Sequence, residues 1–171
     1  MLRVVFFLLA GLLVLSACGV PNSSGTIGSD GRPLPTVYKI RNSDVSKIQY
    51  RILDSVNALR SASGAGQVQL NAQLNAAAET HSRDMSKQNR PWHFGSDGSS
   101  PIDRVARAGY PGPMLGENIS ETFENELETL GAWMDQPGTR QVILEPNAIN
   151  MGFAWHQESS GKIWWTLLMG G

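Results

Sequence analysis

Few side chains in this chain can do chemistry, and they are spread widely. There is one cysteine, Cys18, and there are three histidines, His81, His93 and His156. A thiol can be acylated or oxidised, and an imidazole can bind a metal or exchange a proton near neutral pH. With a single thiol, internal disulfides and cysteine metal sites are excluded. Ser82, Ser99 and Ser100 supply hydroxyls, and a Ser-His-Asp constellation does not need neighbours in sequence, but nothing selects one of the three. The sequence has no Gly-x-Ser-x-Gly elbow, paired-histidine zinc helix, P-loop or dinucleotide fingerprint.

The elements that must position these groups fall into three stretches. Met1-Leu2-Arg3 is short and positive, and residues 4–15 are twelve residues without a charge. That run is short of the roughly 20 residues of a spanning helix and has the proportions of an export signal. Leu15-Ser16-Ala17-Cys18 looks like a bacterial lipobox, so residues 1–17 are expected to be a lipoprotein signal peptide and Cys18 the lipidated mature N-terminus. Two or more acyl chains, at roughly 0.8 kcal/mol per buried CH₂, hold a protein firmly at a bilayer. Residues 18–42, rich in Gly, Ser, Asn and Pro, read as a tether, although Val37, Tyr38 and Ile40 could dock on the folded domain.

Residues 43–171 read as one domain, as the length of 171 residues suggests. Lys plus Arg total 14 against 15 Asp plus Glu, which leaves no electrostatic case for a nucleic-acid partner. A helix is expected over residues 43–62, with Val45, Ile48, Ile52, Val56 and Leu59 on one face. Asn71 caps a second, which carries His81 on its apolar face, where a hydrogen-bonded core histidine is expected. Ser100-Pro101 opens a short third helix with Ile102, Val105 and Ala106 inward. A strand is expected around residues 115–119 and a fourth helix over residues 122–134, with Phe123, Leu127, Leu130 and Met134 apolar. Two strands near residues 151–156 and 163–169, joined by a short turn, form an antiparallel hairpin, with His156 expected to be exposed. Helices first and sheet last make an α+β fold. Trp133, Trp155, Trp164 and Trp165 are expected in the core, and Arg140 is expected to pair with Asp135 at the surface.

Several pieces, in order, resemble the bacterial branch of the CAP superfamily (cysteine-rich secretory proteins, antigen 5, pathogenesis-related proteins). They are Asn57-Ala58-Leu59-Arg60, Ala78-Glu79-Thr80-His81-Ser82-Arg83-Asp84-Met85, His93 with Asp97-Gly98-Ser99, Asp103-Arg104, Gly109-Tyr110, Gly116-Glu117-Asn118-Ile119, Ala132-Trp133-Met134, Pro137-Gly138-Thr139-Arg140, Gly152 and Trp164-Trp165-Thr166. The match covers residues 48–169. It implies a three-layer α-β-α sandwich with a mainly antiparallel sheet, and a cleft in which two histidines and two acids face each other. Two imidazoles could hold Zn²⁺, with the carboxylates orienting the rings.

Carried over by position, His93 is the first histidine and Glu117 the first acid. Gln136 stands where many members carry glutamate, and Thr139 stands where the second histidine would be. A threonine hydroxyl is a poor zinc ligand, so no metal or other cofactor is expected. His93 could act as a base or ligand, or could hold its loop against Glu117; Glu117 could orient a ligand or satisfy backbone N–H groups. Trp92, beside His93, is the aromatic candidate for ligand contact. The resemblance implies an envelope-anchored, non-catalytic binding module whose partner is a small amphipathic molecule, a glycan or a protein. The alternative is a hydrolase acting on peptide or cell-wall substrates with His93 and Glu117. A purely structural envelope role is the third possibility.

Overall fold

A computed structural model describes residues 37–171. The expected signal peptide, Cys18 and the tether up to residue 36 lie outside the described residues. After a 3₁₀ turn (Asn42–Asp44) come α1 (Val45–Ala62), β1 (Gln69–Leu70), α2 (Ala72–Gln88), α3 (Pro101–Arg107), β2 (Met114–Thr122), α4 (Glu126–Asp135), α5 (Pro137–Ile143), β3 (Asn150–Gln157) and β4 (Ile163–Gly170). The sheet order is β1-β3-β4-β2. β1 joins β3 in parallel; the β3–β4 and β2–β4 pairs are antiparallel.

Strand alternation divides the domain into three layers. Phe153, Trp165 and Leu167 point to one face, where α1 (Ile48, Ile52, Val56), α4 (Trp133) and α5 (Ile143) cover them. Ala154 and Leu168 point to the other, covered by α2 (Leu74, Ala77, Ala78) and α3 (Val105). This is the expected α-β-α sandwich, with Trp133, Trp164 and Trp165 in the core.

In β2 one extra residue sets which side chain faces which layer. Met114 pairs with Gly170 and Gly116 with Met169, so Leu115 is a bulge. Met114 packs on the α2 side and Leu115 on the α1 side. A Cβ on Gly116 would meet Val142 of α5. The alternation that resumes after the bulge therefore turns Glu117 toward α2 and α3, and Asn118 toward α5, whose Thr139 carbonyl accepts from the Asn118 amide at 2.8 Å.

Helix starts follow side-chain chemistry where it is strong. Asn71 Oδ1 accepts from the Gln73 and Leu74 amides, and Ser100 forms a reciprocal capping box with Asp103. Other expectations are corrected. Packing begins before residue 43: Tyr38 and Ile40 lie on the core, and Gln157 clamps the segment, donating to the Tyr38 carbonyl at 2.6 Å and accepting from the Ile40 amide at 2.9 Å. α4 starts at Glu126, because β2 runs to Thr122 and Asn125 supplies the cap; Phe123 and Leu127 are exposed. Ile102 and Ala106 are exposed; Val105 faces inward as expected, and the capping box places Arg104 inward beside it. His156 is half-buried, as its cross-strand neighbour is Trp164. Arg140 Nε donates to the Met134 carbonyl rather than pairing with Asp135.

Two glycines test the layer contacts. At Gly152 a Cβ would sit 2.3 Å from the Leu74 carbonyl carbon, and helix backbone cannot move aside cheaply. Gly152→Ala is expected to cost about 1–3 kcal/mol in chemical denaturation. Gly131, within α4, faces open space, and Gly131→Ala is expected to add roughly 0.5–1 kcal/mol. Equal effects at the two positions would contradict the close approach of α2 to the sheet.

Candidate functional site

The first two candidate residues meet. His93, in the loop after α2, places Nδ1 2.8 Å from Glu117 Oε1. The carboxylate accepts, so Nδ1 is the donor, and in the neutral ring Nε2 is the free acceptor. The His93 side chain is 52% exposed, whereas that of Glu117 is 1% exposed. A buried carboxylate thus fixes an imidazole whose other nitrogen faces outward.

The buried charge is compensated from α3. Arg104 Nη2 lies 2.6 Å from Glu117 Oε2, and Nη1 donates to the carbonyls of His93 (2.8 Å) and Ser99 (3.3 Å). One guanidinium therefore ties α3 and both ends of the 93–99 loop to β2. In the sequence, Arg104 is visible only as part of a motif. The available signal for its role is the Ser100–Asp103 capping box, which sets the face that the next residue takes.

His81 lies closer to this site than its place on an apolar helix face suggests. It is fully buried, its Nε2 lies 2.9 Å from the Trp92 carbonyl, and the same nitrogen is 3.8 Å from Glu117 Oε1, a neighbour rather than a bond. The carbonyl requires the proton on Nε2, which leaves Nδ1 buried without a partner. Burial pushes this imidazole below its ordinary value; Glu117 pulls the other way and Arg104 adds to the depression. His81 is thus a neutral ring that holds the loop bearing His93.

Trp92 is half-buried, its indole N–H donates to Gln88 at 2.8 Å, and its ring is tilted against Phe94 with centroids 5.6 Å apart. Arg90 covers it at 3.8 Å from the centroid. Phe94 is 47% exposed, so the loop that carries His93 also shows aromatic surface. Gln136 and Thr139 make no bond to His93 or Glu117. Gln136 is exposed at the start of α5, and the Thr139 hydroxyl donates to the Trp133 carbonyl at 2.6 Å.

The donor set does not fit a zinc ion. His93 Nε2 is one available ligand; both Glu117 oxygens are engaged by His93 and Arg104, and the Thr139 hydroxyl is turned onto backbone. Among the described residues no three His, Cys, Asp or Glu side chains converge. Structural and catalytic zinc sites need three or four protein ligands.

Residues 53–169 match the model of a family described as CAP, the cysteine-rich secretory protein family. The chain is 31% identical over 122 residues to the uncharacterised protein YkwD of Bacillus subtilis (strain 168), covering 71% of this chain and 47% of that protein. It thus spans about half the length of that curated relative. Among solved structures it is similar to an extracellular protein of Bacillus anthracis containing an SCP domain, with TM-score 0.68, 20% identity, and 78% of this chain and 44% of that one covered. It is also similar to an outer surface protein of Borrelia burgdorferi, with TM-score 0.65, 12% identity, and 79% and 98% covered.

Two measurements check these assignments. Arg104→Met leaves the Glu117 carboxylate buried without its cation and is expected to lower stability by about 3–5 kcal/mol; adding Glu117→Leu should restore most of the loss. A second site substitution that restores nothing would show that the pair is not the unit. For His81, the unfolded chain binds a proton more readily than the folded one, because the folded pKa lies below the ordinary 6.5. The stability is complete above about pH 6.5 and is lost as pH falls below it. Melting temperature should drop on going from about pH 7 to about pH 5, and by less in His81→Gln.

Proposed function

The chain belongs to the cysteine-rich secretory protein family, and from that premise we propose that it is a membrane-anchored binding module working outside the cytoplasm, without a catalytic step of its own. One observation carries the reading. His93 is locked by Glu117 with a single outward acceptor, Nε2, and aromatic surface from Trp92 and Phe94 lies beside it. A fixed acceptor next to aromatic faces suits recognition of a hydroxyl or amide N–H on a partly apolar ligand. His93 makes no hydrogen bond to a hydroxyl among the described residues, so no paired nucleophile accompanies it. The ligand classes compatible with this surface are an amphipathic small molecule, a glycan or an exposed peptide.

Placement outside the cytoplasm draws support from relatives described as extracellular and as an outer surface protein, and from the lipobox-like Leu15-Ser16-Ala17-Cys18. Cys18 is the proposed lipid attachment point. A second reading draws on the same geometry: a carboxylate-oriented imidazole with Nε2 exposed is also how a general base is held. In that reading the protein is a hydrolase using His93, with Glu117 as its orienting partner.

One experiment separates the two. Full-length protein and Cys18→Ser are expressed in a bacterial host and partitioned between detergent and water. The anchored form should enter the detergent phase with incorporated labelled palmitate, and Cys18→Ser should carry no label. The same proteins are titrated with glycan oligomers, amphiphiles and peptides while amide NMR signals are followed. His93→Ala should weaken binding about fivefold, the worth of one net hydrogen bond, with no product formed by the wild type. Turnover by the wild type that disappears in folded His93→Ala would replace binding with hydrolysis.

A further inference from the structure

A cavity of about 410 Å³ opens between α2, α3 and the loop of residues 96–99. Neither His93 nor Glu117 lines it. Its volume is in the range that takes a compact organic molecule. The floor is made of short apolar side chains, Ala77 of α2 and Ala108 at the end of α3, with the exposed Ala76 of α2 at the rim.

The charges around this floor are unequally occupied. Asp84 is turned onto the loop, accepting from the Ser96 amide and hydroxyl, both at 2.6 Å, and from Gln88 at 3.0 Å. Asp97 accepts from the Ser99 amide at 2.9 Å and is paired with Arg107 at 2.6 Å. Lys87, in contrast, lines the cavity, is exposed, and makes no ion pair among the described residues. The lining contains a third cation, Arg104, only 6% exposed, whose Nε–H has no acceptor. A buried donor of this kind is destabilising until something accepts from it.

We propose that this cavity is a second ligand site, for a compact organic carboxylate with an apolar body. The body lies on Ala76, Ala77 and Ala108, and the carboxylate meets Lys87 with the Arg107 guanidinium beside it. An oxygen of the ligand, or a water carried with it, answers the Arg104 Nε–H. Amines are disfavoured, because both lining carboxylates already accept from donors of the protein, whereas the Lys87 ammonium makes no ion pair among the described residues. Arg104 forms a wall of this cavity and also holds Glu117, so the two sites share one side chain.

The test uses the full-length chain in dodecyl maltoside micelles, with phenylacetate, phenylacetamide and phenethylamine as probes of one shape and three charges. Methyl NMR signals of Ala76, Ala77 and Ala108 report occupancy, and every variant is compared in the same micelles so that partition cancels. Phenylacetate should shift these methyls and bind about fivefold or more tightly than the other two. Lys87→Gln, a surface change, should erase that preference. Ala76→Phe, at the exposed rim, should fill the space and abolish the shifts while leaving the thermal melt intact. Absent methyl shifts, equal binding of acid and amine, or an acid preference that survives Lys87→Gln would each overturn the assignment.

Discussion

The ion pair between Arg104 and Glu117 is the constraint on which the site rests. The Glu117 carboxylate in particular would be costly to hold inside the protein without a cation, since removing a charged group from water costs several kcal/mol. Each is where it is because the other is there, and the remaining donors of Arg104 bind the carbonyls of His93 and Ser99. A loop of irregular backbone is thereby held as firmly as a strand. His81 adds a second restraint through the Trp92 carbonyl. The exposed imidazole of His93 is consequently the free end of a rigid assembly, which is the condition for selective recognition by a few polar groups.

The opposite layer uses a buried arginine differently. Arg60, at the end of α1, is fully buried and pairs with no acid among the described residues. It donates to the carbonyls of Gly66, Ile143, Glu145 and Ala148, at 2.7 to 3.0 Å. Five guanidinium donors in a fixed fork can satisfy several turning carbonyls that no helix or sheet reaches. This side chain ties the C-terminal end of α5 and the segment after it to the turn before β1. Arg60 serves the frame; Arg104 serves the frame and the site together.

How much of this was legible depended on whether the signal was local. Asn71 and Ser100 announce their helices because a cap is a short-range bond, and the β3–β4 hairpin shows in its alternating residues. α5 was not foreseen: seven residues behind Pro137 show too little periodicity. β1 is two residues long and owes its existence to the edge of β3. The start of α4 is not legible because Phe123 has the character of a core residue, although the strand before it runs on to Thr122. At the site, family likeness marked His93 and Glu117, which do meet. It also marked Gln136 and Thr139, whose bonds go elsewhere. Arg104 and the part played by His81 depend on contacts between α2, α3 and β2, which no spacing within one segment records.

The bulge at Leu115 has a bearing on how this architecture can vary over time. A strand inverts its facing whenever one residue is lost or gained. The bulge is the exception: Met114 and Gly116 pair with consecutive residues of β4, Gly170 and Met169, so losing Leu115 would remove the irregularity and leave the acid beside the guanidinium, whereas a residue inserted between Gly116 and Glu117 in regular pairing would carry the acid to the α5 layer. Descendants can therefore lose the irregularity and still retain the acid next to the imidazole, as long as the pairing from Gly116 onward stays regular. What is restrained is the place of the acid opposite Leu168, while the start of the strand is free to gain or shed a residue.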